Sequence, residues 1–408
     1  MKCRHCGADV HLPFIDLGSS PPSNAFLEGG DLDIPEVWYP LKVLVCEQCW
    51  LVQTKDYAHA AHLFSPDYAY FSSYSSTWLA HAERYADEMT GRFGLTERSL
   101  VVEVASNDGY LLQYFQERGV PCLGIEPTAS TASAAREKGL DIIEEFFGLK
   151  MASRLASQGR MADLMVANNV LAHVPDINDF VQGFARLLKP GGVATFEFPH
   201  LLKMVQGNQF DTIYHEHFSY ISYIAVCCIF ESNGLNIFDV EELPTHGGSL
   251  RVFAQRRDTL PYPVTENVAN IRRKEHSAGI DSRDFYGGFQ TRANKVKDDL
   301  VSFLIQAKRE GKKVAAYGAA AKGNTLLNYA GIRPDLIAFV VDRNPAKQGE
   351  FLPGSRIPIV EEEALNREKP DFIVIFPWNL RQEIEEQLNY VRRWDGQFVI
   401  AVPELEIL

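Results

Sequence analysis

The chain has 408 residues, of which 46% are hydrophobic, so it is long enough for two or three domains with packed cores. Its formal net charge of −13 argues against a nucleic-acid-binding protein, because contacts to phosphates need clustered Lys and Arg side chains. The sequence shows neither a secretory leader nor eighteen consecutive apolar residues, which predicts a cytoplasmic protein that binds no membrane.

Two C-x-x-C pairs form the sharpest local signal in the chain. Cys3 and Cys6 make the first pair, and Cys46 and Cys49 make the second. Each pair offers two thiolates from one tight turn, so together they predict a tetrahedral zinc site. Four thiolates saturate zinc, which makes the ion structural; a redox or metal-free role is the alternative. We assign residues 1–64 to this small zinc-binding module.

A strand, a polar loop and a helix are predicted for residues 101–112, VVEVASNDGYLL. The β-branched run suits a buried parallel strand, and the Asn-Asp-Gly sequence favours a tight turn. A second strand, residues 122–125, ends at Glu126, whose carboxylate can accept hydrogen bonds from both hydroxyls of a ribose. The loop lacks the G-x-G-x-x-G sequence that binds a pyrophosphate, so an adenosine that carries a cation fits better than NAD.

Two further segments continue this α/β pattern. Residues 163–174, DLMVANNVLAHV, predict a strand and a polar turn, and residues 187–198, LLKPGGVATFEF, predict a helix end, a turn and a strand. With the E-x-x-x-N-D-G turn and the acidic strand end, these segments resemble, in order and spacing, the class I S-adenosylmethionine-dependent methyltransferases. Another doubly wound domain with an unrelated ligand is the alternative. The cofactor contacts implied by the resemblance are Glu103, Ala105, Asn107, Asp108, Gly109, Glu126, Pro127, Asn168 and Asn169.

The segment 213–220, IYHEHFSY, gathers two histidines, a carboxylate and two phenols. This density of polar side chains is typical of an active site. In an extended chain His215 and His217 would share one face, so a metal site is an alternative, and a solvated loop is another. We assign residues 65–255 to the methyltransferase-like domain, with strands near residues 236–240 and 249–255.

A second α/β unit is predicted in the C-terminal third of the chain. Polar residues with helical periodicity, 266–312, lead into it. Residues 314–324, VAAYGAAAKGN, predict a strand, a glycine turn and the start of a helix, and further buried strands are predicted at 337–342, 372–376 and 398–402. The turn suits a diphosphate, with Lys322 as a point charge, unless it is a relict NAD motif that holds nothing. We assign residues 256–408 to a Rossmann-like domain that binds the nucleotide part of the substrate.

The paired C-x-x-C motifs, E-x-x-x-N-D-G, Y-H-E-H-F-S-Y and Y-G-A-A-A-K-G-N occur in this order over nearly the whole chain. Together they resemble the nucleotide-sugar C-methyltransferases of deoxysugar biosynthesis. Those enzymes methylate a carbon next to the ketone of a 4-keto-6-deoxy sugar on a nucleoside diphosphate. The resemblance implies that His217 is the general base and that Tyr214 and Glu216 are its polar neighbours. It also implies that His173 lies near the reacting carbon and that Tyr68 is a further contributor.

The predicted activity is therefore S-adenosylmethionine-dependent C-methylation of a nucleotide sugar, dTDP-linked, by a zinc-containing monomer or weak homo-oligomer. An imidazole can remove a proton that a neighbouring ketone acidifies, which gives an enolate. Two alternatives belong to other classes: an NAD-dependent nucleotide-sugar dehydrogenase or epimerase, and a catalytically inactive zinc-module binding protein. The predicted substrate contacts are Tyr68, Tyr70, Arg251, Lys322 and Asn324.

Overall fold

The computed structural model describes residues 1–57 and 71–408. Tyr68, Tyr70 and the predicted boundary between residues 64 and 65 lie outside the described residues. We number strands and helices in chain order. None of the helices within the described ranges is long and apolar enough to cross a membrane.

A four-stranded antiparallel sheet carries the N-terminal module. Its first three strands are β1, Leu12–Ser20, β2, Tyr39–Val45, and β3, Val52–Thr54. The fourth strand is β9, Ser219–Tyr220, which belongs to the polar segment 213–220 and pairs with β3. The module and this segment therefore share one sheet.

The central sheet has seven strands in the order β10-β11-β8-β7-β4-β5-β6. Strands β4 to β8 run parallel, and β11 and β10 close one edge as an antiparallel pair. The strands are β4, Val101–Val104, β5, Cys122–Ile125, β6, Ile142–Ile143, β7, Ala162–Asn168, β8, Leu188–Pro199, β10, Leu235–Leu243, and β11, Ser249–Arg256. The strands predicted in this part of the chain are confirmed.

Helices cover both faces of the central sheet, as a parallel sheet requires. They are α1, Ser76–Phe93, α2, Leu112–Glu117, α3, Ala129–Glu137, α4, Leu149–Ser157, α5, Ile177–Leu187, α6, Leu201–Gln206, α7, Tyr223–Ser232, and α8, Glu266–Ala278. Helix α5 shows why they pack: Asp176 caps its N-terminus, and its Phe184 ring lies 4.5 Å from the ring of Phe196 on β8.

The C-terminal sheet has six strands in the order β14-β13-β12-β15-β16-β17, parallel except for β17. The strands are β12, Val314–Tyr317, β13, Val340–Val341, β14, Ile359–Val360, β15, Phe372–Ile375, β16, Gln397–Ile400, and β17, Glu406–Ile407. The helices are α9, Arg283–Tyr286, α10, Phe289–Arg309, α11, Ala321–Ala330, α12, Glu363–Glu368, and α13, Arg381–Gln387.

With β12 counted as the first strand, this is the 3-2-1-4-5-6 order of a Rossmann fold, so the predicted architecture is confirmed. The strand predicted for residues 337–342 is shorter than expected. Only Val340 and Val341 form it, because its neighbour β14 is itself two residues long.

A buried carboxylate fastens helix α8 to the central domain. Glu275 accepts hydrogen bonds from His200 Nε2 at 2.6 Å and from the backbone amides of Tyr223 and Ile224 at 2.6 and 2.8 Å. The two amides belong to the first turn of α7, where a negative charge is favourable. Glu275 therefore ties α8 to the start of α7.

We expect Glu275→Leu to lower the free energy of unfolding by about 3–5 kcal/mol, because it strands buried donors and the imidazole of His200. Urea denaturation followed by tryptophan fluorescence measures the change. Glu266→Leu, at an exposed position of the same helix, is the control and should cost less than about 1 kcal/mol. Equal losses of unfolding free energy for the two variants would show that the contacts of the Glu275 carboxylate do not stabilise the fold.

Candidate active site

The four predicted zinc ligands come together at one end of the N-terminal module. The sulfur atoms of Cys3 and Cys49 are 3.6 Å apart, those of Cys6 and Cys46 are 3.5 Å apart, and all four lie within 4.8 Å of one another. A zinc ion with Zn–S bonds of about 2.3 Å needs sulfurs about 3.8 Å apart, so the cluster fits a tetrahedral ion. Among residues 1–57 and 71–408 it is the only such group of three or more ligand side chains.

Gln53 links the zinc cluster to the sheet, a role that the sequence analysis missed. Its amide Nε2 donates to Cys3 Sγ at 3.3 Å, and its Oε1 accepts from the backbone amide of Arg4 at 3.0 Å. Such contacts hold metal ligands in place. Gln53 lies on β3, opposite Ser219 of β9. Next to it, Thr54 Oγ1 donates to the carbonyl of His217 at 2.6 Å.

His217 is held in one tautomer by the backbone. Its Nδ1 donates to the carbonyl oxygen of Thr212 at 2.9 Å, so Nε2 carries the lone pair. The ring of Tyr214 lies 3.9 Å from the His217 ring, and that of His173 lies 4.6 Å away. Burial and the neighbouring His173 hold the pKa of His217 well below its usual range. The imidazole is therefore neutral at physiological pH and can accept a proton.

His173 and His217 approach each other from different parts of the chain. His173 lies in the turn after β7, and its Nδ1 donates to the backbone carbonyl of Glu216 at 2.9 Å. Burial lowers the pKa of His173 to about 4, so this ring is neutral as well. The structure thus brings together three of the predicted catalytic residues, His173, Tyr214 and His217.

The other two polar side chains of the segment point to different partners. The carboxylate of Glu216 is buried and accepts from Asn24 Nδ2 at 3.2 Å, and burial raises its pKa. His215 Nε2 donates to the carbonyl of Tyr39 at 3.2 Å. Residues 215 and 216 form a turn, so His215 and His217 do not share a face. The extended chain behind the metal-site alternative is therefore wrong.

The loop after β4 is built from left-handed backbone. Ala105, Asn107 and Gly109 have φ angles of 54°, 49° and 75°. A Cβ on Gly109 would lie 2.2 Å from the side chain of Leu140. The glycine is thus required by its φ angle and by the packing behind the loop.

Glu126, at the end of β5, fixes the shape of this loop. Its carboxylate accepts from the backbone amides of Asn107 and Thr128, each at 2.9 Å, and it is 4% exposed. A carboxylate has about four acceptor sites, and the side chains of Thr128 and Thr131 also lie against this one, so a further hydroxyl would share these sites with them. Pro127 follows directly.

The remaining predicted cofactor contacts lie at the same edge of the central sheet. Glu103, on β4, is buried beside the hydroxyl of Tyr110, and burial raises its pKa well above the usual range. Asn168, at the end of β7, donates to the same hydroxyl at 3.4 Å. Asn169 follows with a φ of 56°. The carboxyl ends of neighbouring parallel strands are where doubly wound sheets bind ligands.

His246 is a site residue that the sequence analysis missed. It has a φ of 53° in the turn between β10 and β11, and its Nε2 lies 3.1 Å from Nδ2 of Asn169. Its ring lies 5.4 Å from that of Trp78, and burial lowers its pKa to about 4. The sequence T-H-G-G-S, a histidine beside two glycines between strands, was the available signal.

Arg251 and Asn324 are engaged by the protein itself. The guanidinium of Arg251 donates to Glu197 at 3.0 Å and lies over the ring of Tyr85. Asn324 is fully buried, and its Nδ2 donates to the carbonyl of Ser23 at 2.6 Å. Arg251 thus joins β11 to β8, and Asn324 joins α11 to the N-terminal module.

The C-terminal domain reaches the His217 cluster through α11 and the turn after β15. Thr325 Oγ1 donates to the carbonyl of Ile213 at 2.8 Å. Trp378 Nε1 donates to Asp211 Oδ2 at 2.7 Å, and burial raises the pKa of Asp211 to about 6. Lys322 lies beside Trp378, with its ammonium 4.2 Å from the ring centroid. All three parts of the chain therefore surround the segment 210–220.

Three family models match consecutive parts of the chain. Residues 3–64 match a zinc binding domain, residues 78–240 a methyltransferase domain, and residues 244–403 a C-methyltransferase C-terminal domain. The C-methyltransferase NovU of Streptomyces niveus is 34% identical over 412 residues, which span 100% of this chain and 96% of that protein. The chain belongs to the C-methyltransferase family.

Other relatives match a smaller part of this C-methyltransferase. The ubiquinone biosynthesis O-methyltransferase of Chelativorans sp. (strain BNC1) is 26% identical over 115 residues, which cover 26% of this chain and 46% of that protein. The structure of magnesium protoporphyrin IX methyltransferase from Synechocystis PCC 6803 with bound SAH aligns with 44% of this chain and 83% of that chain, at 15% identity and a TM-score of 0.35.

The C-methyltransferase is therefore an S-adenosylmethionine-dependent enzyme with a class I methyltransferase domain and a four-cysteine structural zinc site. The predictions of fold class, enzyme class and cofactors are confirmed. Family membership also sets aside the two alternatives, an NAD-dependent dehydrogenase or epimerase and an inactive zinc-module binding protein.

Proposed function

We propose that this C-methyltransferase methylates a carbon next to the ketone of a nucleoside-diphosphate 4-keto-6-deoxy sugar, with dTDP as the nucleotide, and that His217 is the general base. The observation that carries the proposal is the hydrogen bond from His217 Nδ1 to Thr212, which leaves the Nε2 lone pair for a substrate proton. The contact of His217 with His173, from the turn after β7, supports the proposal because it joins the base to the carboxyl edge of the central sheet.

The proposed reaction begins when His217 Nε2 removes a proton from the carbon next to the ketone. The electrons of the C–H bond form a carbon–carbon double bond, and the carbonyl electrons move to the oxygen. S-adenosylmethionine supplies an electrophilic methyl group on its sulfonium. The enolate carbon takes this methyl while the methyl–sulfur bond breaks, its electrons stay on sulfur, and S-adenosylhomocysteine leaves. The carbonyl re-forms, and the imidazolium of His217 returns its proton to solvent. Tyr214 and His173 flank the ring and keep it oriented.

The residues at the carboxyl ends of β4, β5 and β7 are the proposed cofactor contacts. Glu126 receives the ribose hydroxyls on its carboxylate, and the loop 105–109 surrounds the nucleoside. Among the predicted substrate contacts, we propose that Tyr68, Tyr70 and Lys322 touch the sugar nucleotide, with Tyr68 also assisting the chemistry. Arg251 and Asn324 support the site through their hydrogen bonds to Glu197 and to the carbonyl of Ser23.

We expect Glu126→Gln to weaken S-adenosylmethionine binding by about 10- to 100-fold, since an amide nitrogen would face an amide donor of the loop and one acceptor for the ribose is lost. Isothermal titration calorimetry measures the dissociation constant. Glu137→Gln, at an exposed position of α3, is the matched control. Unchanged affinity in the Glu126 variant would remove this residue from the cofactor site.

We propose three functional divisions of the chain: residues 1–64 for zinc, residues 65–255 for cofactor binding and chemistry, and residues 256–408 for the nucleotide sugar. The matches to zinc-binding, methyltransferase and C-terminal domain families support this division.

Incubation with 13C-methyl-labelled S-adenosylmethionine and dTDP-4-keto-6-deoxyglucose tests the function. We expect the label to appear on a sugar carbon in the NMR spectrum of the product. Transfer of the label to a hydroxyl oxygen would contradict the proposal. So would a failure to exchange the α-proton of this ketosugar by a protein that binds S-adenosylmethionine.

A further inference from the structure

In the glycine turn of the C-terminal domain, the three backbone amides that precede α11 have acceptors within the domain. The amides of residues 318, 319 and 320 donate to the carbonyl of Val341, to Asp342 Oδ2 and to the carbonyl of Gly318, all at 2.7–2.8 Å. Lys347 Nζ donates to the carbonyl of Ala319 at 2.8 Å. These three amides are thus engaged by the domain itself, and the carboxylate of Asp342 lies against one of them. Lys322 lies in the first turn of α11.

The ammonium of Lys322 has no direct ion-pair partner among the described residues, and the carboxylate that acts on its charge is that of Asp211. Its Nζ donates to Asn379 Oδ1 at 2.8 Å and lies over the ring of Trp378. Within the described ranges, no Asp or Glu oxygen comes within the 4.0 Å of an ion pair with this ammonium. Burial lowers the pKa of Lys322 to about 8, so it is mostly charged at neutral pH. Lys322 is half-buried, and an ammonium with one neutral hydrogen-bond acceptor is stabilised further when an anion reaches it.

Contacts of Trp378 connect the ammonium of Lys322 to the residues around the base His217. Trp378, on which it lies, donates to Asp211, the residue before the Thr212 that holds His217. The same tryptophan packs against the turn of His246, since a Cβ on Gly247 would lie 2.5 Å from its ring. The charge of Lys322 also depresses the pKa values of His217 and His246, as a cation facing both rings would do.

We propose that Lys322 is a catalytic residue that stabilises the oxygen of the enolate, so that the C-terminal domain supplies the electrophile for the base on the central domain. This inference rests on the proposed function. The negative charge that appears on the ketone oxygen when His217 removes the proton gives the ammonium an anionic oxygen to pair with directly. A preorganised donor of this kind is usually worth about 100- to 1000-fold in rate.

Proton exchange in the absence of S-adenosylmethionine isolates this step. The probe is dTDP-4-keto-6-deoxyglucose in D2O, with the α-proton signal followed by NMR at saturating sugar. We expect Lys322→Met to slow the exchange about 100- to 1000-fold, and Lys322→Arg to recover part of the rate. The dissociation constant of dTDP, measured by calorimetry, should change by less than about threefold, because the proposal assigns the Lys322 ammonium to the ketone oxygen and not to the phosphates. Lys312→Met, an exposed lysine before β12 that pairs with Asp371, is the matched control.

Exchange by Lys322→Met at the wild-type rate would overturn the proposal. So would a tenfold or greater loss of dTDP affinity with unchanged exchange at saturating sugar, which would make Lys322 a phosphate contact. If wild-type protein fails to exchange the proton, the proposed function itself fails, and that outcome is distinct from a failure of Lys322 alone. Binding of S-adenosylmethionine by the variant shows that it is folded, and Lys322→Gln replaces it if it is not.

Discussion

Replacement of His217 by Asn is expected to reduce methyl transfer by about 100- to 10,000-fold, the usual contribution of a positioned general base. Asn keeps a group that can hydrogen-bond to Thr212 but offers no basic nitrogen to the substrate. The α-proton exchange should fall by the same factor, since enolate formation is the step that is lost. Both rates are measured with dTDP-4-keto-6-deoxyglucose.

Binding of S-adenosylmethionine to His217→Asn should stay within about twofold of wild type, because the proposed cofactor contacts lie on β4, β5 and β7. His276→Asn, an exposed histidine on α8 that pairs with Asp281, is the matched control and should keep full activity. Retention of activity by His217→Asn would contradict the assignment of His217 as the base. Loss of cofactor binding would mean that the substitution had damaged the fold instead.

The lowered pKa of His217 gives the same assignment a pH signature. The base works when it is unprotonated, so activity is present above its pKa and is lost as the pH falls through that value. Burial and the neighbouring His173, His246 and Lys322 all push the pKa below 6.5. The acid limb that belongs to His217 therefore lies below pH 6.5 in the profile of kcat/KM. Protonation of Asp211, with a pKa of about 6, acts on the same side and is separated by an Asp211→Asn variant.

Removal of zinc is expected to abolish methyl transfer although no zinc ligand touches the reaction. Apparent zinc-binding free energies of about 10–16 kcal/mol exceed what a small module can supply from its own core. Strand β3 carries Gln53, a partner of the cluster, and Thr54, which holds the His217 carbonyl. When the module unfolds, the backbone support of the base goes with it.

The zinc prediction is tested by treating the protein with a strong chelator and measuring bound metal, methyl transfer and S-adenosylmethionine affinity. Activity should disappear as metal is lost and return with added zinc, while the seven-stranded sheet keeps its affinity for the cofactor. Cys46→Ser should behave like the chelated protein. Cys228→Ser, on α7 and outside the cluster, should keep both metal and activity. Full activity in metal-free protein would contradict this link.

The elements that the sequence predicted well are those set by local patterns. Two C-x-x-C pairs specify a metal cluster by spacing alone, and β-branched residues such as Val101, Val102 and Val104 favour a buried parallel strand. The segment 213–220 was singled out by composition, and the structure brings His217, Tyr214 and His173 together.

Contacts between distant parts of the chain escaped the sequence analysis. Strand β9 has two residues, too few for an alternating pattern, and its partner β3 is remote in sequence. His246 and Trp378 lie near the base only because the central sheet and the C-terminal sheet meet there. The surroundings of Lys322 were equally hidden, since the carboxylate of Asp342 closes the glycine turn from another strand.

The sheet shared by β3 and β9 also governs the order in which the chain can fold on the ribosome. Thr54 and the His217 carbonyl that it binds are 163 residues apart. Until the later segment has been synthesised, β3 presents unpaired backbone groups at the edge of a three-stranded sheet, and such edges invite association with other chains. The zinc module is thus expected to remain an aggregation-prone intermediate through most of the synthesis of the central domain, and the pairing that completes it also sets the base in place.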